Sequence, residues 1–419
     1  MKTDKSPRPA PQAPEQAAGV RLFTNHREAL LVRRPNRFLI IARDGEEEIP
    51  CHCPNPGRLL EFVIPGTRLI LESRCPGPGP GPVPGRHKTA WTAVGLYYRD
   101  RVVPLFSSRA NKAAEALILP KIIGGLREIH REFTLGNSRF DFLCIDRRGM
   151  RHLVEVKACS LVEEDAAMFP DAPSSRALKH LEELAALGSE GFICHILFVI
   201  VHGSPRVFIP NLHTDPDFAA ALSRYGVPAG WAGPAGEAGK VRVHGALLRC
   251  DREGEALLAA ASVPVDLSHG DLAAANRGSY LILLKLPRET EITAGALAAR
   301  RYEPGWYVYA GSAQRNLSSR INRHLRKTRK QRHWHIDYLT PHAEAIKALP
   351  IFSYRNLECS LAKALADLGG RAVPGFGASD CHCGRHGRSH LFFFAGYPLG
   401  DRAFVEMLFR FRHLEGLRR

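Results

Sequence analysis

SRFDFLCIDRRGMRHLVEVK, running from Ser138 to Lys157, is the stretch whose reading decides the fold. Two strand-like runs, Arg139 to Ile145 and His152 to Ala158, flank Arg147-Arg148-Gly149. That pattern predicts a hairpin whose three-residue loop closes with a glycine in the left-handed region. Pairing outward from the loop sets Asp146 opposite Met150 and Asp141 opposite Glu155. Side chains directly opposed on neighbouring strands lie about 5 Å apart, and like charges so placed repel. Strand alternation puts Lys157 on the same face as Glu155. A hard divalent cation relieves the repulsion, and Mg²⁺ takes one or two carboxylates together with water and phosphate oxygens. Asp141 and Glu155 are therefore expected metal ligands for Mg²⁺ or Mn²⁺. Lys157 is the expected catalytic group, orienting a water or steadying charge on a phosphate. Glu-Val-Lys by itself also suits an ion pair on a solvated hairpin; the upstream Asp141 favours the metal site.

Outward from this hairpin the pattern is α/β. Lys112 to Leu119 reads as a helix. Ser174 to Leu187 reads as an amphipathic one, with Leu178, Leu181, Leu184 and Leu187 on or near one face. The apolar run Phe192 to Val201 reads as a buried strand, and Val241 to Cys250 as another. These elements occupy an expected domain over residues 106–267. Residues 20–105 carry short strands instead, at Arg37 to Ala42, Thr67 to Glu72 and Thr89 to Tyr98, which suggests a small barrel. Cys75 to Gly85 (CPGPGPGPVPG) reads as a loop at a hairpin tip, and residues 1–19 as a disordered tail.

A linker is expected at 268–274 and a last domain at 275–419. Ser279 to Lys285 and Gly305 to Ala310 read as strands; Leu317 to Lys330 and Leu357 to Leu368 read as helices. Each strand brings a tyrosine near a glycine, Tyr280 and Tyr309. Arg320 and His324 stand four apart and share a helix face. Glu358 opens the second helix. One glutamate can hold a divalent ion, an arginine can pair with phosphate, and a tyrosine or histidine can act as general base. Tyr280, Tyr309, Arg320 and His324 are thus expected catalytic residues and Glu358 an expected metal ligand.

The chain has 419 residues and a formal net charge of +16, which points to polyanion partners. Between Arg315 and Arg332 there are eight Lys or Arg and no acid. Arg323, Arg326, Lys327, Arg329 and Lys330 of this stretch are expected nucleic-acid contacts, the alternative being a solvated helix face. In the barrel, Arg33, Arg34, Arg37 and Arg58 are expected to meet nucleic acid, as is Arg139. Phe38 and Phe62 are either stacking platforms or core. No apolar run reaches membrane length, and the N-terminus lacks an apolar signal core. The 10 cysteines show no framework, so a cytoplasmic protein with reduced thiols is expected. Cys381 and Cys383, with Cys359, His386 and His390 in range, could hold a structural Zn²⁺; a reduced cluster is the alternative. Nothing calls for an obligate protein partner.

The Asp141, Glu155 and Lys157 spacing resembles that of the PD-(D/E)xK nucleases. Its neighbours sharpen the likeness: Cys53 to Leu59 (CPNPGRL), Gly136 to Asp141, Phe169 to Ala172, Lys179-His180-Leu181 and Asp215 to Phe218. Together they resemble the sugar fermentation stimulation protein (SfsA) family over residues 20–267. The resemblance implies an OB-like barrel, a restriction-endonuclease-like domain and DNA binding. Glu115, Glu132 and Asp171 are further site candidates, or structural carboxylates. Farther on, His333 to Leu339 (HWHIDYL), Gly375 to Cys383 (GFGASDCHC) and Ser389 to Phe392 (SHLF) resemble a prokaryotic family related to the GIY-YIG nucleases. Here the motifs read Gly-Ser-Tyr and Tyr-Ala-Gly, with the tyrosines 29 residues apart.

The expected architecture is α/β (α+β): an OB-like barrel, a PD-(D/E)xK domain and a GIY-YIG-like domain. The expected function is metal-dependent hydrolysis of DNA or RNA phosphodiester bonds by a DNA-binding protein. The alternative is a DNA-binding regulator of sugar-metabolism genes whose nuclease folds only grip.

Overall fold

The computed structural model describes residues 8–9, 19–74, 89–106, 108–136, 138–230, 239–328, 331–377 and 389–418. The chain divides into two compact units. One holds residues 1–211 and 217–270, the other 212–216 and 271–419. Among the described residues no helix is long and apolar enough to cross a membrane.

The first unit begins with the barrel. Strand Arg27–Asn36 pairs with Leu39–Asp44 on one side and Arg68–Ser73 on the other. Leu39–Asp44 pairs with Glu47–His52, and Trp91–Tyr98 joins both Glu47–His52 and Arg68–Ser73. Five strands thus close on themselves, which leaves no free sheet edge. Phe62, fully buried, packs edge-on to Tyr98 at 5.1 Å, so it belongs to the core and cannot stack on a base. Phe38 is 55% exposed.

The strand Arg101–Pro104 touches Val241–Cys250 through Val102 and Cys250. That strand belongs to a mixed sheet ordered Leu126–Leu135, Ser138–Asp146, Arg151–Cys159, Ile193–Ile200, Val241–Cys250. Arg151–Cys159, Ile193–Ile200 and Val241–Cys250 run parallel, and the helix Ser175–Gly188 makes the crossover between the first two. All eight residues of Ile193–Ile200 are buried, as befits a strand covered on both faces. Ser174 caps the crossover helix, its hydroxyl accepting from the Ala177 amide at 3.1 Å. The hairpin of the opening stretch pairs Phe142 with Val154 and Leu143 with Leu153, the register counted out from its loop. Gly149 has φ +77°, and the Asp146 carboxylate accepts from the Arg148 and Met150 amides at 2.9 Å each. The predicted helix at 112–119 is longer, Ala110 to Ile122, with a π segment at Ala114–Ile118.

The second unit has a five-stranded antiparallel sheet ordered Ala345–Phe352, Gly278–Leu286, Gly305–Ala313, Leu391–Phe394, Arg371–Ala372. Its helices include Leu317–Leu325, Glu358–Asp367 and Arg402–Arg410. The first of these stops at Leu325, not at Lys330 as its composition suggested. Arg326 is extended, and the Lys327 ammonium donates to the carbonyls of Ala343 (2.7 Å) and Glu344 (3.2 Å). Cations crowded at successive helix positions repel, and no acid relieves them here. Arg329 and Lys330 lie outside the described residues, as do Cys381, His382, Cys383, His386 and the Pro-Gly loop.

Candidate functional site

Asp141 and Glu155 meet where the hairpin strands diverge. One Asp141 oxygen accepts from the Val156 amide at 2.7 Å, the other from the Asn111 side chain at 2.7 Å. Asn111 stands just before the π segment, a helix irregularity frequent at functional sites. Glu155 Oε1 is held by the Lys157 ammonium at 2.5 Å and lies 2.6 Å from His180 Nδ1. Glu155 Oε2 is buried with no hydrogen-bond partner. Burial, then the neighbouring Glu155 charge, pushes the Asp141 carboxyl above its ordinary range. Burial raises Glu155 too, but hydrogen bonds from His180 and Lys157 outweigh it and hold the group below the usual range. An acceptor-only oxygen left without a donor in a dry site fits a hard cation. Among the described residues no three His, Cys, Asp or Glu side chains gather into one metal group. An ion here would rest on two carboxylates and complete its shell with water or phosphate.

His180 is the member that sequence reasoning missed. Its signal was a histidine on the buried face of an amphipathic helix, beside Ala177, Leu181 and Leu184. A buried polar ring needs a partner, and only the tertiary fold shows it to be Glu155. Of the other acidic candidates, Glu115 pairs with Arg131 at 2.6 Å and Glu132 lies 3.9 Å from Arg139. Asp171 accepts from the Leu59 amide at 2.7 Å, tying the CPNPGRL loop to the mixed-sheet domain.

The second site is a cleft of about 390 Å³ in the second unit, lined by Tyr280, Tyr309, Ser312, Arg320, Trp334, Glu358 and His390 among others. Four chain segments deliver the expected residues. Tyr280 pairs with Gly311 across the sheet, and a Cβ on Gly311 would come within 2.5 Å of the phenol. The Tyr280 hydroxyl lies 3.0 Å from His324 Nε2, and its ring is 6.4 Å from that of Tyr309. Burial pushes both phenols above their ordinary pKa. Arg320 donates to the Ser312 carbonyl at 3.2 Å, with its guanidinium 4.9 Å from the Trp334 ring centre. Glu358 accepts from the Ser312 hydroxyl at 2.5 Å, and His390 Nδ1 stands 2.8 Å from its other oxygen. His390, expected near the cysteines, is thus placed at Glu358. Ser312 and Trp334 were not singled out as site residues from sequence, and His390 only as a possible zinc ligand. Arg323 keeps Nε and Nη2 without hydrogen-bond partners, and Arg326 is exposed.

The basic residues of the barrel divide. Arg34 spends its guanidinium on four carbonyls, Gly57 (2.8 Å), Arg58 (3.0 Å), Arg37 (2.8 Å) and Asn55 (2.9 Å), so it clamps a loop and is not available to phosphate. Arg33 pairs with Glu48 at 3.1 Å, and Arg37 lies over the Phe38 ring at 5.7 Å. Arg58 is half-buried.

Barrel, mixed sheet and a separate antiparallel unit define a multidomain protein whose parts have known relatives. The SfsA N-terminal OB domain matches residues 32–105, and the sugar fermentation stimulation protein RE domain matches 108–228. The domain of unknown function DUF123 matches 279–409. The sugar fermentation stimulation protein homolog of Methanothermobacter thermautotrophicus is 38% identical over 197 residues, 46% of this chain and 78% of the relative. That of Clostridium botulinum (strain Alaska E43) is 38% identical over 198 residues, 46% of this chain and 82% of the relative. The solved structure of Pyrococcus furiosus SfsA in complex with Ca²⁺ is 27% identical, with TM-score 0.47, covering 59% of this chain and 99% of that one. The chain belongs to the SfsA family and carries a DUF123 domain after the SfsA portion.

Proposed function

We propose that this protein is a divalent-metal-dependent nuclease that hydrolyses phosphodiester bonds of DNA or RNA. One observation carries the reading: Tyr280, Tyr309, Arg320 and Glu358, drawn from four segments, line a single cleft beside Trp334 and His390. An arginine for phosphate, a carboxylate for a cation and a hydroxyl in contact with an imidazole are what in-line attack by water requires. Bound Mg²⁺ or Mn²⁺ would neutralise phosphate charge and activate water. Glu358 in the cleft and Asp141 with Glu155 in the first unit are the groups to hold it. Arg320 pairs with the phosphate, and Tyr280, in contact with His324, takes the proton of the attacking water. In the first unit Lys157 orients water. The exposed Arg326 supports contact with a flanking phosphate.

The second reading is a DNA-binding regulator that does not cut. It is favoured by the closed Lys157–Glu155–His180 arrangement, which already neutralises Glu155 without a metal. Purified full-length protein incubated with labelled single- and double-stranded DNA and RNA, with and without Mg²⁺ or Mn²⁺, separates the two. Metal-dependent cutting is expected on at least one substrate. Salt-dependent binding with no cutting on any of them sinks the nuclease reading.

A further inference from the structure

Behind the cleft, His324 and Asp337 are both fully buried. His324 Nδ1 lies 2.9 Å from Asp337 Oδ1. The other Asp337 oxygen accepts from the backbone amides of His333 (3.1 Å) and Trp334 (3.0 Å). Two amide donors on one oxygen favour the ionised carboxylate, which has no proton to offer, so the imidazole nitrogen facing Oδ1 carries the proton and donates to Asp337. That leaves the Nε2 lone pair facing the Tyr280 hydroxyl at 3.0 Å. The Tyr280 ring is pinned over Gly311, where no side chain fits.

We propose that Asp337 is a positioning residue for Tyr280: it fixes the His324 tautomer so that Nε2 can take the tyrosine proton. The proposal rests on the cleft being a phosphodiester hydrolase. In the attack, a proton leaves water for the Tyr280 oxygen while the Tyr280 proton passes to His324 Nε2. The water oxygen bonds to phosphorus and the bond from phosphorus to the leaving sugar oxygen breaks on the opposite side; that oxygen takes a proton from bulk water, and the imidazolium afterwards releases its proton through Tyr280 to the hydroxide so formed. Asp337 stabilises the transient imidazolium and never becomes protonated. The amide of Trp334 holds Asp337, and the Trp334 ring lines the cleft, so the substrate wall and the relay move as one piece.

The test uses the full chain as wild type, Asp337→Asn, Asp337→Glu, Tyr280→Phe and His324→Gln. Nitrogen NMR of the histidines, with the His324→Gln difference spectrum assigning the signal, reads the tautomer without any need for activity. His324 is expected as the Nδ1–H form in wild type and in Tyr280→Phe, and to lose that preference in Asp337→Asn. Cleavage kinetics should show kcat down on the order of 10⁴-fold in Asp337→Asn with KM little changed, and partial rescue in Asp337→Glu. An Nε2–H form in wild type or in Tyr280→Phe overturns the proposal even where Asp337→Asn fails to fold. Wild-type cutting that Asp337→Asn leaves within about threefold overturns this proposal alone. Absence of cutting by wild type, with the tautomer as stated, overturns the hydrolase reading and the Tyr280 role with it.

Discussion

The first unit should lose stability between pH 7 and pH 5 because it buries neutral histidines. His152, His195 and His244 stand on three adjacent strands, with nitrogens 3.0 Å and 2.9 Å apart along the row. Burial pushes His244 down to about 4, with the Arg242 charge adding to it. Burial likewise pushes His202 down to about 4, although its hydrogen bond with the Ser160 carbonyl works against this. His195 is driven down in the same direction, by burial and then by His244. These rings stay neutral in the folded chain below the pH at which the unfolded chain takes up protons. Stability is therefore intact above the unfolded value of about 6.5 and is lost as pH falls below it, the share of His202 and His244 ceasing to fall near pH 4. Linkage gives about 2 kcal/mol lost for each of His202 and His244 between pH 7 and pH 5, or about 4 kcal/mol together. That is a large part of the roughly 5–15 kcal/mol by which domains are stable. Native-state hydrogen exchange of the central strand Ile193–Ile200 reads this unit by itself. The double variant His202→Gln, His244→Gln should lose about 4 kcal/mol less protection across that pH range than wild type. An identical pH dependence in the two proteins would refute the reasoning.

Three other perturbations follow from single contacts. Arg34→Ala removes four hydrogen bonds from a charged donor and should lower stability in urea by about 3 kcal/mol; a midpoint unchanged from wild type would show that the loop holds without the clamp. Gly311→Ala drives a methyl into the Tyr280 ring, so cleavage should fall on the order of 10²-fold while the circular dichroism stays that of wild type. Arg326→Ala removes one exposed cation, so the slope of log binding constant against log salt should become shallower by about one, and an unaltered slope would take Arg326 off the nucleic-acid surface.

The hairpin was legible in the sequence because register follows from loop length and alternation alone. Counting outward from Gly149 set the pairing of Phe142 with Val154, and with it the approach of Asp141 to Glu155. The second cleft was legible through spaced motifs, though how its pieces meet depends on a sheet that joins residues far apart in the chain. His180 and Asp337 were not legible as site members, because each acts through a partner brought by another element, at 25 and 13 residues' distance. Arg34 misled for a related reason: charge in a sequence does not reveal that four backbone carbonyls surround it. The helix after Asn316 was read too long because its basic run kept a helical spacing, while the real chain turns at Arg326 and spends Lys327 on carbonyls.

The nuclease claim is tested most directly by cutting of one labelled nucleic acid in Mg²⁺ by wild type beside the double variant Glu155→Ala, Glu358→Ala, with melting curves to show that both are folded. Cutting by wild type and none by the double variant is the predicted result. Equal cutting by the two proteins contradicts the account.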